Sequence, residues 1–296
     1  MAKGKKINID DAVGTPEVYT AKASAQAALT YANSTSPFTI EVRFLGGLNK
    51  AQKKAFKLAA DRWCKIIVGD LPSVQVDGEV IDDLLILAQG VSIDGPGRIL
   101  GQAGPTHLRP RNAGKSALIP VKGIMSFDTA DLAQMEQGGT LNDVITHEMG
   151  HVIGVGTIWK LKGLLKGENT TNPTFKGTTA SKEYGKLRGS NSSMAVPVEN
   201  TGGAGTRDSH WRETIFRNEL MSGFIAGQSN PLSRVTAGSL KDCGYDVNLD
   251  AAEAYTLPNL LKLAESGLLT AHEAPIDMGI MLGNIPIVLP EESLKK

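Results

Sequence analysis

"LNDVITHEMGHVIGVGTIW", Leu141 to Trp159, holds two histidines four residues apart, with a glutamate directly after the first. Leu141, Ile145, Met149 and Val152 recur at helical spacing and predict a core helix. His147 and His151 then lie one turn apart on a single face. The helix is expected to begin at Leu141, with Thr140 as N-cap and Asp143 as a weak capping-box partner. Gly154 is expected to end it, because glycine accepts the left-handed turn that stops a helix. Two imidazoles so placed can share one zinc ion at about 2.0–2.1 Å. Glu148 stands beside the open position of such an ion, where a carboxylate can take a proton from water and pass it to a leaving amine. The bland alternative is an ordinary helix with solvent-facing histidines. The apolar stripe argues against it, since paired histidines on a core helix need a partner.

Outside the motif, composition narrows the classes. The chain has 296 residues, enough to bury a core without disulfide staples. Thirty-one basic residues balance 31 acidic ones, so no net field favours nucleic acid or acidic lipid. No apolar run approaches the length of a membrane span. Two cysteines, Cys64 and Cys243, make no disulfide framework, and their pairing is open at this level. The N-terminus shows no continuous apolar core of a secretory signal.

Residues 1–36 read as a flexible N-terminal extension. "FTIEVRFLGG", 38–47, alternates as a half-buried strand. "NKAQKKAFKLAADRWCKII", 49–67, carries a helical stripe of Ala55, Ala59, Trp63 and Ile66. "DDLLILAQGVSI", 82–93, reads as a second strand, and "VKGIMSFDTADL", 121–132, as a third after a glycine-rich loop. Residues 155–209, rich in Gly, Asn, Thr and Ser, read as a long insertion with little regular structure. "HWRETIFRNELM" at 210–221, "LSRVTAGSLKDCGY" at 232–245 and "LPNLLKLAESGLL" at 257–269 read as helical.

"HEMGHVIGVGT" follows the metzincin pattern H-E-x-x-H-x-x-G-x-x-H as far as its glycine, but Thr157 stands where the third histidine is expected. Of His107, His210 and His272, His210 is the best candidate, because Met221 follows it by eleven residues in "ELMSG". The run of HExxHxxG, long insertion, "HW" and "ELM" resembles the leishmanolysin-like zinc metallopeptidases of the metzincin clan, over roughly residues 38–250. The resemblance implies that His147, His151 and His210 bind Zn2+, that Glu148 is general base and acid, and that Met221 is the Met-turn residue under the imidazoles. Asp208 in "GTRD" is a rival third ligand, and Glu168 a weaker one, since "KGENTTN" does not look helical.

"SIDGPGRILGQAGP" and "GIMSFDTADL" also resemble the calcium loop and strand of the matrixins. That likeness implies a candidate Ca2+ site from Asp94, Gly95, Gly97, Ile99, Asp128 and Asp131. Gln102 and Ser126 stand where matrixins hold a structural zinc by histidine, so no second zinc is expected. Leu100 and Gly101 are expected to form a substrate rim, where an extended peptide pairs with an exposed strand.

The expected fold is α/β (α+β), a metzincin-like two-lobed zinc peptidase. Residues 37–156 would form an N-terminal lobe of twisted mixed sheet and helices. Residues 157–296 would form a smaller, irregular and helical C-terminal lobe with insertion, third ligand and Met-turn. The expected function is a zinc-dependent endopeptidase that cleaves extended protein or peptide substrates with a zinc-activated water. A non-catalytic metal-binding scaffold and a zinc hydrolase of a non-peptide amide are the alternatives. The resemblance implies a secreted or cell-surface protein, although no signal peptide is visible.

Overall fold

A computed structural model describes residues 16–93, 95, 97, 101–203, 205–225, 229–259, 280–282 and 285–295. In chain order the strands and α-helices are β1 (Glu17–Lys22), α1 (Ala25–Ala27), β2 (Thr39–Gly46), α2 (Lys50–Ile66), β3 (Val74–Val76), β4 (Glu79–Ile81), β5 (Leu84–Val91), β6 (Gly101–Leu108), β7 (Pro120–Asp128), α3 (Thr129–Gly138), α4 (Leu141–Ile153), β8 (Leu165–Lys166), β9 (Thr174–Phe175), α5 (Thr178–Leu187), β10 (Val196–Pro197), α6 (Glu213–Phe216), α7 (Arg234–Cys243), β11 (Ile280–Leu282) and β12 (Ile287–Val288).

The main sheet is mixed, in the order β1-β2-β5-β7-β6-β11, with β12 also on β6. β2, β5 and β7 run parallel, β1 is antiparallel to β2 and β6 to β7, while β11 and β12 run parallel to β6. Alternation explains β2: Ile40, Val42 and Phe44 are buried, whereas Thr39, Glu41 and Arg43 are half-buried. α2 starts from a capping box in which Asn49 and Gln52 exchange bonds. Its buried face meets α4, and Trp63 Nε1 donates to Thr146 O across that contact at 2.9 Å. One continuous apolar cluster runs from Ala21 to Val247, so the sheet-bearing half and the segment after the motif helix share a core.

Several expectations change. Residues 16–36 are not wholly a flexible extension, because β1 pairs with β2 along its full length. The insertion is more regular than its composition suggests: it contains α5 and the small sheet β10-β9-β8. Only Glu213–Phe216 of the 210–221 segment is helical. The proposed helix at 257–269 falls almost entirely outside the described residues. The chain end, assigned to the C-terminal lobe, returns to the N-terminal sheet through β11 and β12.

Arg109 is fully buried, and no carboxylate among the described residues accepts a hydrogen bond from it. Its guanidinium donates instead to the carbonyls of Pro72, Asp82, Asp83 and Pro120 at 2.7–3.0 Å. Hydrogen bonds to a charged group contribute about 1.5–3 kcal/mol each. Arg109→Met is therefore expected to destabilise the fold by about 3 kcal/mol or more, read as a lower urea midpoint at unchanged m-value.

Candidate metal centre

The site begins with α4, and every residue from Val144 to Ile153 in it is buried. Thr140 has helical φ/ψ and makes no side-chain cap bond, so the expected capping box is absent. Asp143 faces elsewhere, accepting from Arg62 Nη1 at 3.1 Å and Asn230 Nδ2 at 2.9 Å. The helix does end at Gly154, with φ +123°. Thr157, in the slot of a third histidine, uses its hydroxyl to cap His151 O at 2.8 Å. Tyr245 from after α7 caps Ile153 O at 2.7 Å.

The turn after Gly154 delivers the distant segment. Gly156 has φ +77°, and a Cβ there would overlap Ser209 O. That close approach sets the backbone of Ser209, and so of His210, against the end of α4. Gly156→Ala combines a left-handed backbone with a clash and is expected to cost about 1–3 kcal/mol. Denaturant unfolding of the metal-free chain measures it.

Three histidines converge. Their Nε2 atoms lie 3.0 Å (His147–His210), 3.1 Å (His147–His151) and 2.9 Å (His151–His210) apart. The opposite ring nitrogens each face a carbonyl: His147 Nδ1 on Leu220 O at 2.6 Å, His151 Nδ1 on Val155 O at 2.9 Å, His210 Nδ1 on Thr206 O at 2.9 Å. A carbonyl only accepts, so each Nδ1 carries the proton and each Nε2 turns a lone pair inward. Three such lone pairs cannot bond one another. Donors about 2.0–2.1 Å from one tetrahedral ion sit roughly 3.3 Å apart, close to the spacing observed, so the set fits a zinc ion. Burial holds the imidazoles neutral, lowering His147 to about 4, His210 to about 3 and His151 well below its ordinary value.

Glu148 is only 2% exposed, with Oε1 3.9 Å from His147 Nε2 and Oε2 lacking a hydrogen-bond partner among the described residues. Burial raises its pKa to about 8. Met221 is fully buried, and a Cβ on Gly150 would stand 2.8 Å from its sulfur. The thioether therefore packs on the motif helix at a point where only glycine leaves room.

The rivals for third place are engaged elsewhere. Asp208 accepts from Asn169 N at 3.0 Å, and Glu168 pairs with Lys160 at 2.8 Å. His107 sits in β6 against the Thr106 hydroxyl, and His272 lies outside the described residues. Cys64 and Cys243 are buried and free.

Among the six residues of the candidate calcium site, Asp94 and Ile99 fall outside the described residues. Asp128 accepts amides from Ile93 (2.6 Å), Gly95 (3.4 Å) and Ala130 (2.8 Å), and Asp131 accepts Gly97 N at 2.8 Å. Amide hydrogen bonds draw these carboxylates to the glycine loop. Leu100 of the expected rim is likewise outside the described residues. Gly101 is buried rather than an open rim: a Cβ on it would lie 3.0 Å from Phe127 Cα, so the close approach is to β7. The other edge of β6 is taken by β11, with Ile280 opposite Gly101.

Comparison with known families gives a match to the leishmanolysin peptidase model over residues 114–264, just over half of the chain. The chain belongs to the leishmanolysin family. This leishmanolysin-family chain is also similar to a leishmanolysin homolog of Crithidia fasciculata, 26% identical over 133 residues. That alignment covers 43% of the chain and 20% of the relative, so the chain spans about a fifth of that relative's length. The family is one of zinc-dependent metallopeptidases, and the histidine triad lies within the matched segment. No described helix of this family member is long and apolar enough to cross a membrane.

The sequence reading missed the groups behind the ligands. Leu220, Val155 and Thr206 act through main-chain carbonyls, which every residue possesses, so no residue type could announce them.

Proposed function

We propose that this chain is a zinc endopeptidase in which His147, His151 and His210 hold the metal and Glu148 handles protons. One observation carries the reading: three buried Nε2 lone pairs converge beside a buried carboxylate oxygen that has no hydrogen-bond partner among the described residues. Imidazole nitrogen suits zinc, and ligand sets of three leave a position open for chemistry.

Zinc, when bound, supplies Lewis acidity, polarising a substrate carbonyl and making water more acidic. The chain's own contribution is proton handling in a dry site. Glu148 takes a proton from the attacking water at Oε2 and delivers it to the departing amide nitrogen. Burial lifts its pKa towards about 8, while a neighbouring divalent cation favours the ionised form. Met221 closes the floor beneath the imidazoles with apolar bulk. Family membership supports protein or peptide substrates, and the even charge balance gives no electrostatic footprint for nucleic acid.

Unfolded casein tests the reading. Fragments are expected with zinc present, none after chelation, and fragments again on zinc addition. Casein left intact by a zinc-loaded, folded chain defeats the peptidase assignment.

A further inference from the structure

Glu219 is fully buried in the turn that carries Met221, and four donors converge on its carboxylate. Met221 N donates to Oε2 at 2.6 Å. Ser233 N at 3.1 Å, Ser233 Oγ at 2.7 Å and Thr236 Oγ1 at 2.5 Å donate to Oε1. Ser233 is the N-cap of α7 and Thr236 lies in its first turn. A single carboxylate thus fastens the 219–222 turn to the start of a helix.

Two routes lead from this carboxylate to the triad. Leu220, the next residue, offers the carbonyl that holds His147 Nδ1. Thr236 Oγ1, while donating to Glu219, accepts Trp211 Nε1–H at 2.8 Å. Trp211 directly follows His210, and its backbone N–H is fixed on Met221 O at 2.9 Å. His147 and His210 come from segments far apart in the chain, and both are set by groups that Glu219 anchors.

We propose that Glu219 is a positioning residue for the metal, its carboxylate aligning the Leu220 carbonyl with His147 and Trp211 behind His210. The inference rests on the zinc reading above and deepens it. All four groups around Glu219 are donors, so glutamine cannot replace it cleanly. In either amide orientation the NH2 faces at least one backbone N–H, of Met221 or of Ser233. Partners behind metal-binding histidines are commonly worth about 10–100-fold in metal affinity.

The test uses the full chain, stripped with chelator and titrated with zinc against a fluorescent competitor. Thermal unfolding is recorded with and without the metal. Glu219→Gln is expected to weaken zinc binding about 10–100-fold and to shrink the zinc-dependent rise in Tm. A purely structural carboxylate would lower both melting temperatures equally and leave affinity alone. Thr236→Val and Thr236→Ser form a second pair that decides the matter if the Gln variant does not fold. Serine keeps the hydroxyl bridge and wild-type affinity, whereas valine breaks it and weakens zinc binding. Zinc affinity within threefold of wild type in folded Glu219→Gln, or no difference between the Thr236 variants, overturns the proposal. Failure of the wild type itself to bind zinc would instead sink the reading on which it rests.

Discussion

Glu148→Gln is expected to lower kcat/KM for peptide cleavage by about 10²–10⁴-fold, the usual weight of a positioned general acid–base, with zinc still bound. Glutamine has nearly the same shape but cannot carry a proton from water to the leaving nitrogen. None of the three converging Nε2 atoms belongs to residue 148, so metal affinity should be almost unchanged. Stability supplies a second sign. Burial raises Glu148 from 4.5 to about 8. In the metal-free chain its favourable contribution is therefore complete below about pH 4.5 and is lost as pH rises through about 8. Glutamine abolishes that loss, so metal-free Glu148→Gln should gain on the wild type over this window. Denaturant unfolding at several pH values, with chelator present, measures it. Undiminished cleavage by the variant would remove Glu148 from the mechanism.

His210→Ala is expected to abolish tight zinc binding and reduce cleavage to background. Two histidines one helical turn apart remain, but the third corner of the triad is gone. Ligand bound only to the folded state stabilises it by about 4 kcal/mol at a free concentration of 1,000 Kd. Wild-type chain should show that increment on zinc addition, and His210→Ala should show little of it. Metal analysis after dialysis gives the complementary count. The comparison also separates His210 from its rival, because Asp208 remains in the variant. Retention of zinc by His210→Ala would mean that another residue closes the site.

Much of α4 was legible because a helix has a fixed period. Residues three and four apart share a face, so Leu141, Ile145, Met149 and Val152 announced a buried stripe and His147 and His151 a common side. Gly154 was legible as a stop because few other residues adopt its backbone. Other local signals misled. Thr140 and Asp143 have the chemistry of a capping box, yet Asp143 is drawn to Arg62 and Asn230, which no local window contains. In the "DGPG" loop the described glycines give their amides to Asp128 and Asp131, more than 30 positions away, which no local window contains either. β1 was hidden because a polar edge strand is stabilised by pairing with β2 rather than by its own pattern.

The sequence by itself determined the motif helix and the two histidines on its face, and the family resemblance, through Met221, pointed to the distant histidine to suspect. These depend on residue type and short-range period, and both are written along the chain. Only the tertiary structure decided that His210 closes on His147 and His151, which carbonyls set their tautomers, and that Glu219 anchors the turn between them. The decisive contacts join distant groups: 63 positions separate His147 from His210 and 73 separate His147 from the Leu220 carbonyl, while 14 and 17 separate Glu219 from Ser233 and Thr236. They are selected by shared burial and by the need to satisfy every buried polar group, and those conditions exist only once the chain has closed on itself.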